Sequence, residues 1–354
     1  MTMPTLSNRL PRLCSIALCI ALAGCAHAKE PRTAAKAAPA KASVKTEYAG
    51  EFANFSQWKD VDEFINMMVN KHGFTRKELE SMFNRTRYVG IASQLIKPAP
   101  PGKPKNWHVY RTRFVEPVRI DSGVQFWDRY ADALSRAETR YGVPAEIIVA
   151  IIGVESIYGR HTGNFRVMDA ITTLAFDYPD TPTRSERMEF FRGELENTLL
   201  FARESGIDPF SLLGSYAGAI GWPQFMPGSI RKFAVDFDGD GKIDLRNSPI
   251  DAIGSVANFL VQHGWKRGEP IVFPASISKS GSDKQWESFI GQGLEAKFKI
   301  DDLKAAGIVP AIAPPADMTF GLVDLQNGQE PPEYWLGAAN FFAITKYNLS
   351  LIHI

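Results

Sequence analysis

One glutamate ends a long apolar run in this chain, in the stretch Gly153-Val154-Glu155-Ser156-Ile157-Tyr158-Gly159, preceded by Ile147, Ile148, Val149, Ile151 and Ile152. Apolar surroundings disfavour a charged carboxylate, and so does the partial negative charge at a helix C-terminus. A carboxyl held protonated near neutral pH is what a general acid needs for glycoside cleavage. Alone, such a residue is more often a buried, hydrogen-bonded structural group. A second stretch, Gly214-Ser215-Tyr216-Ala217-Gly218-Ala219-Ile220-Gly221-Trp222-Pro223-Gln224-Phe225-Met226-Pro227-Gly228-Ser229, has too many glycines and prolines for a core segment. Its aromatics, with Ser215 and Gln224 able to donate and accept, suit the wall of a sugar groove.

A third constellation could hold a cation. Asp236, Asp238 and Asp240 stand at the first, third and fifth places of a loop, with Gly241 sixth and the Lys242 carbonyl seventh, as at the start of an EF-hand. The twelfth place holds Asn247 instead of glutamate. Asp251, in the first turn of a helix capped by Ser248 and started by Pro249, is expected to close the loop over 236–251. Clustered aspartates repel without a cation, so the reading is a structural Ca2+ site of modest affinity and no organic cofactor.

The elements that must position these groups are mostly helical. Phe64, Ile65, Met67, Met68 and then Leu79, Met82, Phe83 recur at spacings of three and four, predicting two short helices with Thr75 as a cap. Four prolines across 97–105 mark a boundary. Val124, Trp127, Tyr130, Ala131, Leu134, Ala137 and Tyr141 read as one buried stripe, ended by Gly142, with Pro144 starting the next helix. That next helix, which leads to Glu155, lacks a polar face and is expected to be buried on all sides. Further helices are predicted over 186–205 and 249–263, and the Gly, Ser and Pro-rich composition of 266–323 predicts a small β-rich insertion.

Lys and Arg number 40 against 39 Asp and Glu, without the basic excess that binding to phosphate backbones requires, so nucleic acid is a poor candidate partner. All three cysteines, Cys14, Cys19 and Cys25, lie in the first 25 residues, which leaves the body without thiol chemistry. Arg9 and Arg12 precede an apolar stretch too short to span a bilayer, ending in Leu22-Ala23-Gly24-Cys25. This predicts a signal peptide over 1–24. The tetrad looks like the bacterial lipoprotein box, with Cys25 lipidated, and Ala26 rather than Asp after it favours the outer membrane. Residues 25–46, rich in Ala, Lys and Pro, read as a flexible tether.

The paired motifs around Glu155 and 214–229, with Phe114-Val115-Glu116-Pro117, Gly123-Val124-Gln125-Phe126-Trp127, Gly193-Glu194-Leu195-Glu196 and Asp251-Ala252-Ile253-Gly254-Ser255-Val256-Ala257-Asn258, resemble the membrane-bound lytic murein transglycosylase B family. The resemblance implies a mainly α (α+β) fold: a lysozyme-like core over 112–265 and 324–348, a helical domain over 47–111, and the insertion over 266–323. It also implies that Glu155 is a single catalytic acid/base and that Tyr110, Arg187, Ser215, Gln224, Tyr347 and Asn348 line the sugar groove. Phe259 departs, since tyrosine stands there in the family. The implied activity cleaves peptidoglycan glycan strands from the periplasmic face of the outer membrane, in a monomer that a cell-wall synthesis complex could recruit. A hydrolytic muramidase and a non-catalytic peptidoglycan-binding lipoprotein are the rival readings. The final Leu-Ser-Leu-Ile-His-Ile (349–354) reads as a non-native tail, because a transposon end used in sequencing libraries encodes that string and the family resemblance stops before it.

Overall fold

The computed structural model describes residues 55–98, 102, 104–278 and 285–347. The signal peptide, Cys25, the tether, Asn348 and the 349–354 tail lie outside them. Helices α1 (Lys59–His72) and α2 (Arg76–Arg85) form as the periodicity predicts, and the Thr75 hydroxyl accepts from Glu78 N at 3.3 Å. Short helices α3 (Gly90–Leu95) and α4 (Trp107–Arg111) follow.

The stripe expected over 124–141 is instead two helices, α5 (Pro117–Arg129) and α6 (Ala131–Tyr141). At Tyr130 the backbone turns to φ −116° and ψ 24°, which shifts the phase between them. Ala133, Leu134 and Ala137 of α6 are buried, whereas Val124 and Trp127 of α5 are 58% and 38% exposed. Gly142 ends α6 in left-handed backbone and Pro144 caps α7 (Ala145–Ser156). Helix α7 is not enclosed on all sides: Ile148 and Ile152 are fully buried, but Glu146 and Ala150 face outward.

Strand β1 (Phe165–Arg166) leads into α8 (Val167–Phe176), whose ten residues are all buried. The sequence reading missed this helix, because a ten-residue run without a polar face has no amphipathic period to read. Asp169 and Thr173 tie it to distant backbone, while the buried Thr172 hydroxyl has no partner among the described residues. The Asp169 carboxylate accepts from Arg87 N at 3.0 Å and from Arg166 Nε and Nη2 at 2.6 and 2.9 Å, and Thr173 Oγ1 accepts from Val89 N at 2.9 Å. Phe176 meets Phe64 and Phe83 edge-on, so α8 anchors the N-terminal helices by both polar and aromatic contacts. Helix α9 (Arg184–Glu204), strand β2 (Leu213–Gly214) paired antiparallel with β1, α10 (Pro227–Phe233) and α11 (Pro249–Gln262) complete the helical body.

The insertion has its own core. Strands β3 (Val272–Ile277), β4 (Phe298–Lys299), β5 (Ile308–Pro310), β6 (Thr319–Asn327) and β7 (Glu330–Gly337) form an antiparallel sheet in the order β4-β6-β7-β3-β5, with α12 (Ile300–Ala305) beside it. Residues 324–337, assigned from sequence to the catalytic core, belong to this sheet, because β7 pairs with both β6 and β3. The boundary set at 323 falls within a strand for that reason. Helix α13 (Ala339–Tyr347) then returns to the helical body. The Asn340 side chain accepts from Lys266 N and donates to the Lys266 and Glu269 carbonyls, stapling the two ends of the insertion together.

Candidate active site

Glu155 occupies the last turn of α7, half-buried. Immediately beyond it Ile157, Tyr158 and Gly159 take φ of 50°, 53° and 78° in succession. A β-branched residue in that region is strained, and such strain persists only where surroundings over-determine it. Ser156 supplies part of the hold: its hydroxyl donates to the Trp222 carbonyl at 2.8 Å and accepts from Gly159 N at 3.0 Å. Gly159 lies so close to Trp222 that a Cβ there would stand 2.5 Å from the indole. The acid-bearing turn and the glycine-rich wall are thereby one unit.

The wall closes on itself through a bridge between Ile220 and Phe225, with the turn between them opened by Gly221 (φ 76°) and Gln224 (φ 50°). Gln224 Nε2 donates to the Gly221 carbonyl at 2.8 Å and to that of Thr162 at 3.3 Å, so its carbonyl oxygen is the group available to a ligand. Ser215 Oγ accepts from Ala219 N at 3.1 Å and Ala217 N at 3.3 Å, which leaves its proton for donation.

Tyr347, at the end of α13, donates its hydroxyl to the Pro223 carbonyl at 2.6 Å and packs on Phe225 and Phe259. Burial pushes its phenol well above the ordinary range, and the negative charge of Glu155 pushes it further. Tyr347 thereby ties the end of α13 to the wall at Pro223. Phe259 fits its surroundings without a hydroxyl, 7% exposed among Phe225, Phe233, His263 and Tyr347. Tyr110 and Arg187 stand on other elements: Tyr110 on α4 between Trp107 and Phe114, and Arg187 exposed in the first turns of α9.

At the predicted cation loop, carboxylate oxygens of Asp236, Asp238 and Asp251 lie within 4.8 Å of one another. Asp251 is fully buried and accepts from Phe237 N at 2.8 Å and Asp244 N at 2.9 Å; Asp236 accepts from Gly239 N and Gly241 N. Burial, with the nearby Asp238 charge acting in the same direction, holds the Asp251 carboxyl above its usual range. Three convergent carboxylates of this kind fit a hard divalent cation. Asp240 is not among them, because its carboxylate folds back onto Lys242 N at 2.8 Å, and Lys242 could contribute only its carbonyl.

The family described as transglycosylase SLT domain matches residues 54–353. Membrane-bound lytic murein transglycosylase B of Escherichia coli (strain K12) is 42% identical over 310 residues, covering 85% of this chain and 80% of the relative. The chain belongs to the transglycosylase SLT family. Among solved members, soluble lytic transglycosylase SltB1 from Pseudomonas aeruginosa is 44% identical with a TM-score of 0.72, covering 83% of this chain and 94% of its own. Slt35 of Escherichia coli, in complex with calcium, is 42% identical with a TM-score of 0.70, covering 84% and 89%. The mainly helical fold expected from the resemblance is the fold observed.

Within this family member, Ser156, Tyr158 and Glu194 matter to the site in ways the sequence reading did not assign. Their residue types are unremarkable, and only the turn angles and the distant partners mark them. Glu194 of α9 is buried and accepts from Gly228 N at 2.7 Å, pinning the end of the wall loop at the start of α10. Burial pushes its carboxyl up, against the lowering effects of Gly228 N–H and Lys232. The folded state thus holds this proton more tightly than the unfolded chain. Its contribution to stability is full below the ordinary carboxyl range and is lost as pH rises through the raised folded value. Glu194→Gln keeps an acceptor for Gly228 without a charge to bury. Wild type should lose stability relative to this variant as pH rises above the ordinary glutamate value of about 4.3, read by urea unfolding. Parallel stability curves for the two proteins would contradict the assignment.

Proposed function

We propose that this transglycosylase cleaves the β-1,4 bond between N-acetylmuramic acid and N-acetylglucosamine in peptidoglycan with Glu155 as its single acid/base. Glycosidases generally pair two carboxylates, one as acid and one supplying or activating the nucleophile. Here the muramic acid's own 6-hydroxyl serves as nucleophile. Glu155 gives its proton to the bridging oxygen as the C1–O4 bond breaks; the 6-hydroxyl oxygen bonds C1, and its proton passes to the Glu155 carboxylate. Glu155 ends as it began, no water is consumed, and the product carries a 1,6-anhydro ring. The observation that carries this reading is the tie between the Glu155-bearing turn and the wall, through Ser156 to the Trp222 carbonyl and through the close approach of Gly159 to the Trp222 indole. Ser215 and Gln224 offer sugar hydroxyls complementary donors and acceptors. Tyr110, Arg187 and Asn348 extend the groove by resemblance.

Mass spectrometry of digested murein tests the reaction. The transglycosylase product is lighter by one water than the reducing end a muramidase would leave, and recovery of reducing ends alone would overturn the reading.

The metal proposal is a structural Ca2+ held by Asp236, Asp238 and Asp251, with the Lys242 carbonyl and Asp240 at the loop rim. It is supported by the carboxylate convergence and by the calcium complex of Slt35. The ion would supply charge neutralisation in the loop, with no part in bond cleavage. Calcium should raise the melting temperature and chelator lower it, since a ligand at about a hundredfold its Kd adds ~2.7 kcal/mol to the folded state. Asp238→Ala should remove the response, and a melting temperature indifferent to both additions would refute the site.

Anchoring through lipidated Cys25 to the periplasmic face of the outer membrane is proposed from the Leu22-Ala23-Gly24-Cys25 box, and the relative's name, membrane-bound, supports it. Among the described residues, no helix is long and apolar enough to cross a membrane.

A further inference from the structure

The left-handed turn after Glu155 has a second hold, on the face of α7 that packs against α5. Tyr158 places its hydroxyl end between two buried glycines, Gly123 of α5 and Gly153 of α7. A methyl at Gly123 would lie 2.6 Å from the Tyr158 hydroxyl oxygen, and one at Gly153 would lie 2.4 Å from it. The same ring packs on Phe126 at 5.2 Å. Glycine within a helix is destabilising relative to alanine, and this chain carries one in each of the two helices that face the ring. No hydrogen bond holds the Tyr158 hydroxyl among the described residues, so the hold is the fit of the ring itself.

We infer that Tyr158 is a positioning residue for Glu155: its ring, seated in the notch of Gly123 and Gly153, locks the strained turn and so fixes the direction in which the acid points. The physical chain is short. Ile157 and Tyr158 both stand at positive φ and would relax toward ordinary backbone if the ring left its notch. Relaxation would rotate the end of α7 and move the Glu155 carboxyl away from the bridging oxygen. Ser156 and Trp222 restrain the turn from the wall side, and Tyr158 restrains it from the helix side, so losing either frees one end. The inference rests on the reading of Glu155 as the acid.

The test is steady-state kinetics of the full chain on soluble murein fragments, with melting temperatures measured in parallel. Tyr158→Ala should lower kcat by about 10²-fold at little-changed KM, the size expected when a reacting group is misplaced by about an ångström. Gly123→Ala should lower kcat with Tyr158 intact, because its methyl meets the hydroxyl oxygen. Adding Tyr158→Phe to Gly123→Ala removes that oxygen and leaves the ring carbon 3.2 Å from the methyl, so kcat should recover. Should Tyr158→Ala fail to fold, the Gly123→Ala and Gly123→Ala/Tyr158→Phe pair decides. A purely structural tyrosine would lower the melting temperature without changing kcat per folded molecule, and Tyr158→Phe would not rescue kcat. Either result overturns the inference. Glu155→Gln is measured alongside: if it stays active, the acid assignment fails; if it is inactive while Tyr158→Ala keeps kcat within about threefold, the positioning role alone fails.

Discussion

Glu155→Gln is expected to abolish release of anhydro-muropeptides while leaving murein binding in place. The amide preserves the shape and half-buried position at the end of α7 but has no proton to transfer to the bridging oxygen. General acid/base catalysis is worth about 10²–10⁴ in rate, and in the proposed mechanism one group serves both half-steps, so the loss should lie at the upper end. Binding should survive because the proposed groove residues, the 214–228 wall and Tyr347, are held in place by Ser156, Pro223 and Glu194 without the Glu155 proton. Product formation by mass spectrometry and murein co-sedimentation read the two effects separately. Residual turnover within a few-fold of wild type would remove Glu155 from the mechanism.

The largest stability loss is expected at Asp251. Its buried carboxylate accepts from the backbone N–H groups of Phe237, Asp238 and Asp244, which organise the loop whether or not a cation is bound. Asp251→Ala leaves those donors without their acceptor, and a buried unsatisfied group costs about 1–3 kcal/mol. The sum, discounted for solvent reaching the outer donors, is about 3–5 kcal/mol. Urea unfolding in chelator measures this apart from metal binding. A loss below about 1 kcal/mol would mean that the loop does not depend on this carboxylate.

The contrast between Asp251 and Tyr158 shows what a sequence can disclose. Asp251 was legible because it follows Ser248 and Pro249 at the start of a helix, and Ser248 Oγ does accept from Asp251 N. Tyr158 was not, because its role depends on Gly123, 35 places earlier in the numbering, and on a left-handed backbone that residue type does not announce.

Local chemistry was therefore readable from the chain alone: the Thr75 cap, the Gly142 stop, the apolar run ending in Glu155, the glycine-rich wall and the aspartate loop each depend on neighbours within a few residues. Tertiary structure decided the rest. It broke the 124–141 stripe at Tyr130, buried all of α8, carried the sheet through Gly337, and set Tyr347 on the Pro223 carbonyl. The physical reason is common to all four. Each outcome is set by which distant surface a residue packs against or bonds to, and that partner is separated in the chain by more residues than any helical or strand period connects.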